Sequence, residues 1–386
     1  MYRIVQPKII HMGRGAIRAI EGELSQMAPG RVLVVTDPIL QGLGIVDRAL
    51  NCMGVYRDQM ELFLNPSPDP DITVVERCAS MVREGSFDLI IGIGGGSPLD
   101  VAKGASVLAV HEEGIRSLLG KNLLKRKGLP TILVPTTSGT GTEVSQAAVM
   151  EVPEEGTKKS IWDPLTVAEV AIVDPELTIK MPPALTAETG MDALYHGIEG
   201  FTAKTSNPIA RMYSLEAIRL IGRYLKGAYV NGSDMEAREA MSRAATLAGI
   251  AFSNGGLGAV HGLALALDSA QGFSHGKGLA ILGPWVMNFN SIGHESIYAK
   301  IAEALGESTQ GLDLNKASRK ACEAVLRLAM DAGISPYMRD YGIQSHEIPG
   351  LAQKAYRLSQ RLMPMNIKEI KEMDVLEIFW NAYGER

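Results

Sequence analysis

The sequence predicts a two-part fold: an α/β half with a largely parallel sheet over residues 1–182, then an all-helical half over residues 183–386. Three observations point there. Up to about residue 180, short β-rich apolar runs alternate with helical stretches, the pattern of a parallel sheet with crossover helices. After Met181-Pro182-Pro183 the pattern changes, and apolar residues recur at three and four almost throughout. Finally, 386 residues suffice for two domains that each bury a full core.

The elements follow in order. MYRIVQPKII alternates like a strand, and RVLVVTD reads as a buried strand followed by one helix to about Met53. VYRDQMELF, DITVVERCASMVREG, FDLIIGI and TILVPTT continue the alternation. Within FDLIIGIGGGSPLDVAKGAS, Phe87 to Ile91 reads as a strand, Gly92 to Gly96 as a tight turn, and a helix begins with Ser97 at the N-cap and Pro98 at its first position. Glycines let backbone N–H groups approach a pyrophosphate, and a helix N-terminus adds partial positive charge, so this turn favours an anion. The spacing is neither G-x-G-x-x-G nor a Walker loop. A second polar loop, PTTSGTGTEVS at 135–145, follows the apolar run Thr131 to Val134, and its hydroxyls suit ribose and phosphate contacts. Beyond the boundary, NPIARMYSLEAIRLIGRYLKGAY and MEAREAMSRAATLAGIAF are amphipathic helices. No long linker, repeat or low-complexity segment interrupts the chain.

The helical half carries a candidate metal site. Asp192 and His196 are four apart, so a helix places carboxylate and imidazole on one face. His261 and His275 lie fourteen residues apart, enough for a helix, a bend and a return to the same point. One carboxylate and three imidazoles suit Fe²⁺ or Zn²⁺, whereas Mg²⁺ and Ca²⁺ prefer oxygen-rich shells. With four protein ligands, substrate gains access only by expanding the coordination number.

Bulk properties exclude other classes. Lys plus Arg (38) nearly balance Asp plus Glu (43), the net charge is -5, and no basic stripe appears, which argues against nucleic acid. The basic run LLGKNLLKRKG at 118–128 reads as a solvated loop. Neither a signal peptide nor an apolar stretch of about 18 residues is seen, so no membrane partner is expected. Three scattered cysteines, Cys52, Cys78 and Cys322, point to a reducing cytoplasm and against a disulfide framework.

Several motifs in order carry a resemblance over nearly the whole chain: Thr36-Asp37-Pro38, Asn65-Pro66, GGGSPLDVAK at 94–103, PTTSGTGTE at 135–143, DPEL at 174–177, MPPALTAETGMDALYHGIE at 181–199, FSNGGLGAVHG at 252–262 and HG at 275–276. In these the chain resembles the iron-containing (group III) alcohol dehydrogenases, on the lactaldehyde reductase and 1,3-propanediol dehydrogenase side of the family. The resemblance implies a dehydroquinate synthase-like architecture, with NAD on the N-terminal domain and the metal on the helical one. It also implies hydride transfer in a cleft between them and a homodimer or higher homo-oligomer. Asp192, His196, His261 and His275 match the metal ligands, for Fe²⁺ or else Zn²⁺. Gly95, Gly96, Ser97 and Asp100 match the pyrophosphate region. Asn65, Thr136, Thr137 and Thr140 match further cofactor contacts, Lys158 a cofactor-binding lysine, with Lys159 adjacent, and Asp37 the position that receives the adenosine ribose. Gln146, Ala147 and Phe252 match positions bordering the substrate.

Two departures stand out. Where the family commonly has a second His four residues after the ligand, this chain has Leu265, which makes the pocket more apolar and removes a proton relay. The family's Asn-Pro-Arg near the C-terminus is replaced by LMPMN at 362–366. The implied activity is that of an NAD-dependent, metal-dependent alcohol dehydrogenase or aldehyde reductase. A hydroxyacid-oxoacid transhydrogenase with retained nicotinamide is the alternative. A dehydroquinate synthase-like lyase needs clustered Lys and Arg for an anionic substrate, and FSNGGLGAVHGLALALDSAQG offers none.

Overall fold

The computed structural model describes residues 1–65, 69–268 and 273–384, so Pro66 of the Asn65-Pro66 motif and residues 269–272 at the end of the His261 segment lie outside it. The chain divides into two compact units, one of Val5–Lys180 and one of Met181 onward together with Met1–Ile4.

The first unit is built on a six-stranded sheet of order β1-β9-β6-β4-β2-β3, from Ile9–Met12 (β1), Val32–Thr36 (β2), Met60–Leu64 (β3), Leu89–Gly94 (β4), Thr131–Pro135 (β6) and Val170–Val173 (β9). Every pairing in it is parallel. The runs VLVVT, LIIGIG and TILVP are buried along their whole lengths, as strands covered on both faces require. Their side chains alternate: Leu33, Val35, Ile90 and Leu133 enter one core, while Val32, Val34, Ile91 and Ile132 enter the other. Helices α1 (Ile20–Met27), α2 (Pro38–Gly42), α3 (Ile45–Asn51), α4 (Ile72–Glu84), α5 (Gly96–Val110) and α6 (Ile115–Leu118) complete the α/β pattern.

Several local expectations are corrected. The single helix expected up to Met53 is two, α2 and α3, because Gly44 adopts a left-handed φ of 72° between them. VYRDQMELF is a 3₁₀ turn over Gly54–Gln59 followed by strand only from Met60. A second sheet, from Gly120–Lys121 (β5), Ala147–Val152 (β7) and Thr157–Trp162 (β8) in the order β5-β8-β7, has no counterpart in the sequence reading. Its β7–β8 hairpin is antiparallel and turns at Pro153–Glu155 with Gly156 at φ 60°.

The second unit contains α7 (Pro183–Thr202), α8 (Pro208–Val230), α9 (Met235–Gly255), α10 (Ala259–Asp268), α11 (His275–Ser291), α12 (Glu295–Ala304), α13 (Leu314–Asp331), α14 (Ile348–Ser359) and α15 (Glu372–Tyr383). Polar caps mark the starts: Asn207, Asp234, Ser274 and Asp313 each accept backbone N–H bonds at the head of their helices. From Gly190 to Thr202 every residue of α7 is buried, so α7 runs through the middle of this core. No single helix among the described residues is long and apolar enough to cross a membrane.

Candidate metal centre and nucleotide loops

In the first unit, the residues read as nucleotide contacts gather at one edge of the sheet. Asp37, Asn65, Gly95 and Thr136 each follow the carboxyl end of a strand, β2, β3, β4 and β6 respectively, and these four strands are parallel neighbours. Ligands of open α/β sheets bind at this edge, where successive strands step to opposite sides, as β3 and β4 do on either side of β2. Backbone bonds carry the ladder past the strands: Asn65 N donates to Thr36 O at 2.7 Å and Thr136 N to Gly94 O at 2.8 Å. The two polar loops also touch. A Cβ on Gly96 would overlap Thr140 Cγ2 at 2.8 Å, and one on Gly95 would make a tighter than usual 3.3 Å contact with Thr137 Cγ2, so glycine lets the loops pack this closely.

The helix start differs from expectation. α5 begins at Gly96 with Gly95 as N-cap, so Ser97 and Pro98 are its second and third residues, and β4 runs on to Gly94 instead of ending at Ile91. The chain reverses at Gly94 and Gly95, leaving Pro98 in the first turn where its missing N–H costs nothing.

Asp100 is buried beneath this turn. Burial raises its pKa, and Lys103 and Lys158 oppose the rise. Lys103, which sequence reasoning quoted in a motif but gave no role, is fully buried, and its Nζ donates to the carbonyl oxygens of Thr142 (3.1 Å), Ser145 (2.7 Å) and Ala147 (2.5 Å). It thereby ties the end of the PTTSGTGTE loop to α5. Lys158 lies on β8 and pairs with Asp69 at 2.7 Å, while Lys159 pairs with Glu155. Gln146 and Ala147 are buried where β7 begins, and Gln146 O accepts from Asp163 N and Thr166 Oγ1.

In the second unit, three imidazoles converge on one carboxylate oxygen. Asp192 Oδ1 lies 3.5 Å from His196 Nδ1, 3.5 Å from His261 Nε2 and 4.0 Å from His275 Nε2. Asp192 and His196 share a face of α7, His261 comes from the first turn of α10, and His275 opens α11. Gly276 makes the last placement possible, because a Cβ there would stand 2.1 Å from Glu188 O, one turn before Asp192.

One ligand atom each from Asp192, His261 and His275 lie within 4.8 Å of one another, a group among the described residues compact enough to hold a metal ion. His196 flanks it, stacked on His261 with ring centroids 4.5 Å apart. Two ligand atoms each about 2.1 Å from a tetrahedral ion stand roughly 3.4 Å apart, so the group has the dimensions a cation needs. Asp192 Oδ1 and His261 Nε2 are buried and face each other without a close hydrogen-bond partner among the described residues. That is the state a bound cation would relieve. Burial raises the Asp192 pKa, but the surrounding His196, His261 and His275 overcome it and hold the carboxyl well below its usual range. For His261 burial works downward, and Glu199 and Asp192 together carry its pKa up to about 9.

Two carboxylates that sequence reasoning missed stand behind these imidazoles. His261 Nδ1 donates to Glu199 Oε2 at 2.5 Å, and His275 Nδ1 to Asp268 Oδ2 at 2.9 Å. The signal for Glu199 was available, since it lies three residues after His196 and seven after Asp192 on the same helix face. Phe252 stacks on His196 at 4.1 Å, and Leu265, one turn after His261, is the only residue of Ala259–Leu267 that is partly exposed.

Comparisons with known proteins identify the family. Residues 7–175 match the model of the iron-containing alcohol dehydrogenases and residues 186–383 that of the C-terminal part of the Fe-containing alcohol dehydrogenase family. The chain is 37% identical over 385 residues to long-chain-alcohol dehydrogenase 1 of Geobacillus thermodenitrificans (strain NG80-2), covering 99% of this chain and 97% of that protein. The crystal structure of a 1,3-propanediol oxidoreductase superposes with a TM-score of 0.93 at 35% identity, covering 99% of this chain and 100% of the other. That of sulfoacetaldehyde reductase from Bifidobacterium kashiwanohense in complex with NAD⁺ gives 0.89 at 28% identity, covering 100% of each chain. With two family models spanning both units and relatives aligned end to end, the chain belongs to the iron-containing alcohol dehydrogenase family.

Proposed function

We propose that this chain is an NAD-dependent, divalent-metal-dependent alcohol dehydrogenase or aldehyde reductase that acts on a small alcohol or aldehyde by hydride transfer. The observation that carries the reading is the convergence of His196, His261 and His275 on Asp192 Oδ1. Asp192, His196, His261 and His275 would hold Fe²⁺ or Zn²⁺, which when bound would supply Lewis-acid chemistry to the substrate. One carboxylate and three neutral imidazoles leave a divalent ion with net positive charge, which that task needs. Phe252 stacks on His196 and Leu265 is a partly exposed apolar residue one helical turn after His261, which favours substrates whose carbon chain is hydrocarbon over polyols.

In the first unit, the turn at Gly95 and Gly96, the start of α5, and Thr136, Thr137 and Thr140 are suited to the cofactor phosphates. Asp37, at the end of β2, suits the ribose 2′-hydroxyl and would repel a 2′-phosphate. Asn65 and Lys158 stand at the same sheet edge or beside Asp100, as further cofactor contacts. The reaction requires the nicotinamide carried by this unit to reach the metal group of the other, and the hydride chemistry itself belongs to the cofactor. The relative solved with NAD⁺ supports the choice of cofactor.

A panel of short and longer alcohols and aldehydes, followed by NADH absorbance with Fe²⁺ or Zn²⁺ under anaerobic conditions and repeated with NADPH, tests the reading. Turnover that depends on metal and prefers NADH is expected. Full activity after exhaustive chelation contradicts the metal, and an equal or better specificity constant with NADPH contradicts the role of Asp37.

A further inference from the structure

Helix α10, which carries His261, begins without a capping residue of its own: Gly258 precedes it, and its first intrahelical bond is Gly262 N to Gly258 O. The first-turn N–H groups have no partner within the helix and need acceptors from elsewhere. Two buried side chains supply them. Asn366 Oδ1 accepts from Ala259 N at 3.2 Å, Glu199 Oε1 from Val260 N at 2.7 Å, and Glu199 Oε2 from His261 N at 3.4 Å. Asn366 is itself fixed, its Nδ2 donating to Asn290 Oδ1 at 2.8 Å and to Lys368 O at 2.7 Å. Glycine at 258 leaves room for both acceptors, since a Cβ there would stand only 3.0 Å from Asn366 Oδ1 and from Glu199 Oε1.

Glu199 Oε2 also accepts from the ring Nδ1 of His261 at 2.5 Å. The carboxylate therefore meets three donors, Val260 N, His261 N and His261 Nδ1, with two oxygens and no hydrogen of its own. We propose that Glu199 is the positioning residue of the metal centre: it caps α10 and, through the same oxygens, holds the hydrogen of His261 Nδ1, so that Nε2 is the ring atom presented to Asp192 and to a cation. The inference rests on the metal reading above. An ionised carboxylate can only accept, so Nδ1 must carry the hydrogen and Nε2 is left as the ligating atom. That Nε2 lies 3.5 Å from Asp192 Oδ1, so a cation that takes the place of any hydrogen on Nε2 finds both atoms as ligands.

Glu199→Gln separates this role from a merely structural one. Gln keeps the shape and one oxygen for Val260 N, but its amide NH₂ then faces Nδ1. That donor selects the opposite tautomer, in which Nε2–H bonds to Asp192 and cannot bind metal. The chain should therefore lose about 10- to 100-fold in Zn²⁺ affinity, measured by competition with a chromophoric chelator, while its metal-free circular dichroism stays near wild type and its melting temperature falls less than that of Glu199→Ala. Glu199→Ala should lower both affinity and melting temperature. Wild-type Zn²⁺ affinity in a folded Glu199→Gln protein overturns the proposal and leaves the metal reading standing. A wild-type chain that does not retain Zn²⁺ overturns both. If Glu199→Gln does not fold, histidine-selective ¹⁵N spectra of the Zn²⁺-loaded wild type decide. Protonated Nδ1 and ligated Nε2 at His261 are expected, and ligation through Nδ1 overturns the assignment.

Discussion

Leu265 shows what one side chain can decide. It follows His261 by one turn of α10, and unlike its neighbours from Ala259 to Leu267 it is partly exposed, so it presents apolar surface one helical turn from a candidate metal ligand. A metal ion supplies most of the electrostatic stabilisation in chemistry of this kind, and an imidazole at 265 could add only proton transfer, worth roughly 10²- to 10⁴-fold. Leu265→His should raise turnover of short diols relative to simple alcohols and change the pH dependence of kcat/KM near neutrality. An unchanged substrate ranking and pH profile would separate Leu265 from the reacting centre. Legibility in the sequence also varies from residue to residue. Asp192 and His196 can be paired by eye because four residues make one helical turn, and Glu199 continues that face. Asn366 could not be found this way, since it meets Ala259 across 107 positions and nothing local links them.

Secondary-structure elements were legible where a single period ran unbroken. The strands β2, β4 and β6 and the helices α8 and α9 are each one continuous pattern with a clear start, and all are found within a few residues of expectation. Errors fall where glycine sets the backbone: the break at Gly44, and the start of α5, which depends on which of three consecutive glycines begins the turn. The small sheet was missed because TKKSIW alternates weakly and its partner AAVMEV reads as helix or strand equally well. Gly276 shows how strongly one glycine can set the position of an element. The N-terminus of α11 lies against the backbone of α7 at Glu188, and a methyl group added at 276 would overlap the Glu188 carbonyl oxygen at 2.1 Å. In Gly276→Ala the start of α11 must move away, taking His275 with it. A stability loss of about 1–3 kcal/mol is expected, together with weaker Zn²⁺ binding than wild type. Both can be read from thermal melts with and without metal, because an ion that binds only the folded state raises the melting temperature in proportion to its affinity. A variant that melts lower yet gains the full wild-type increment from Zn²⁺ would show that His275 is not held by this contact.

At the scale of the whole chain, the two sets of candidate residues are divided between the two units. Asp37, Asn65, Gly95, Gly96, Ser97, Asp100, Thr136, Thr137, Thr140 and Lys158 all belong to Val5–Lys180, whereas Asp192, His196, His261 and His275 all follow Met181. Each unit has its own hydrophobic core, so a change inside one core need not propagate to the other. This permits a test of the division of labour. His261→Ala removes one imidazole from the metal group but leaves Glu199 two backbone donors, Val260 N and His261 N, so the carboxylate is not stranded in the core. The variant should fold, lose its metal and its turnover, and keep NADH binding within about twofold of wild type, since a free-energy change of 0.4 kcal/mol or so is all that separation of the sites allows. Elemental analysis and a fluorescence titration with NADH measure the two properties independently. Full metal content would remove His261 from the ligand set. Loss of NADH binding in a folded, metal-free variant would show that the nucleotide site depends on the metal, and that the two units do not divide the chemistry between them.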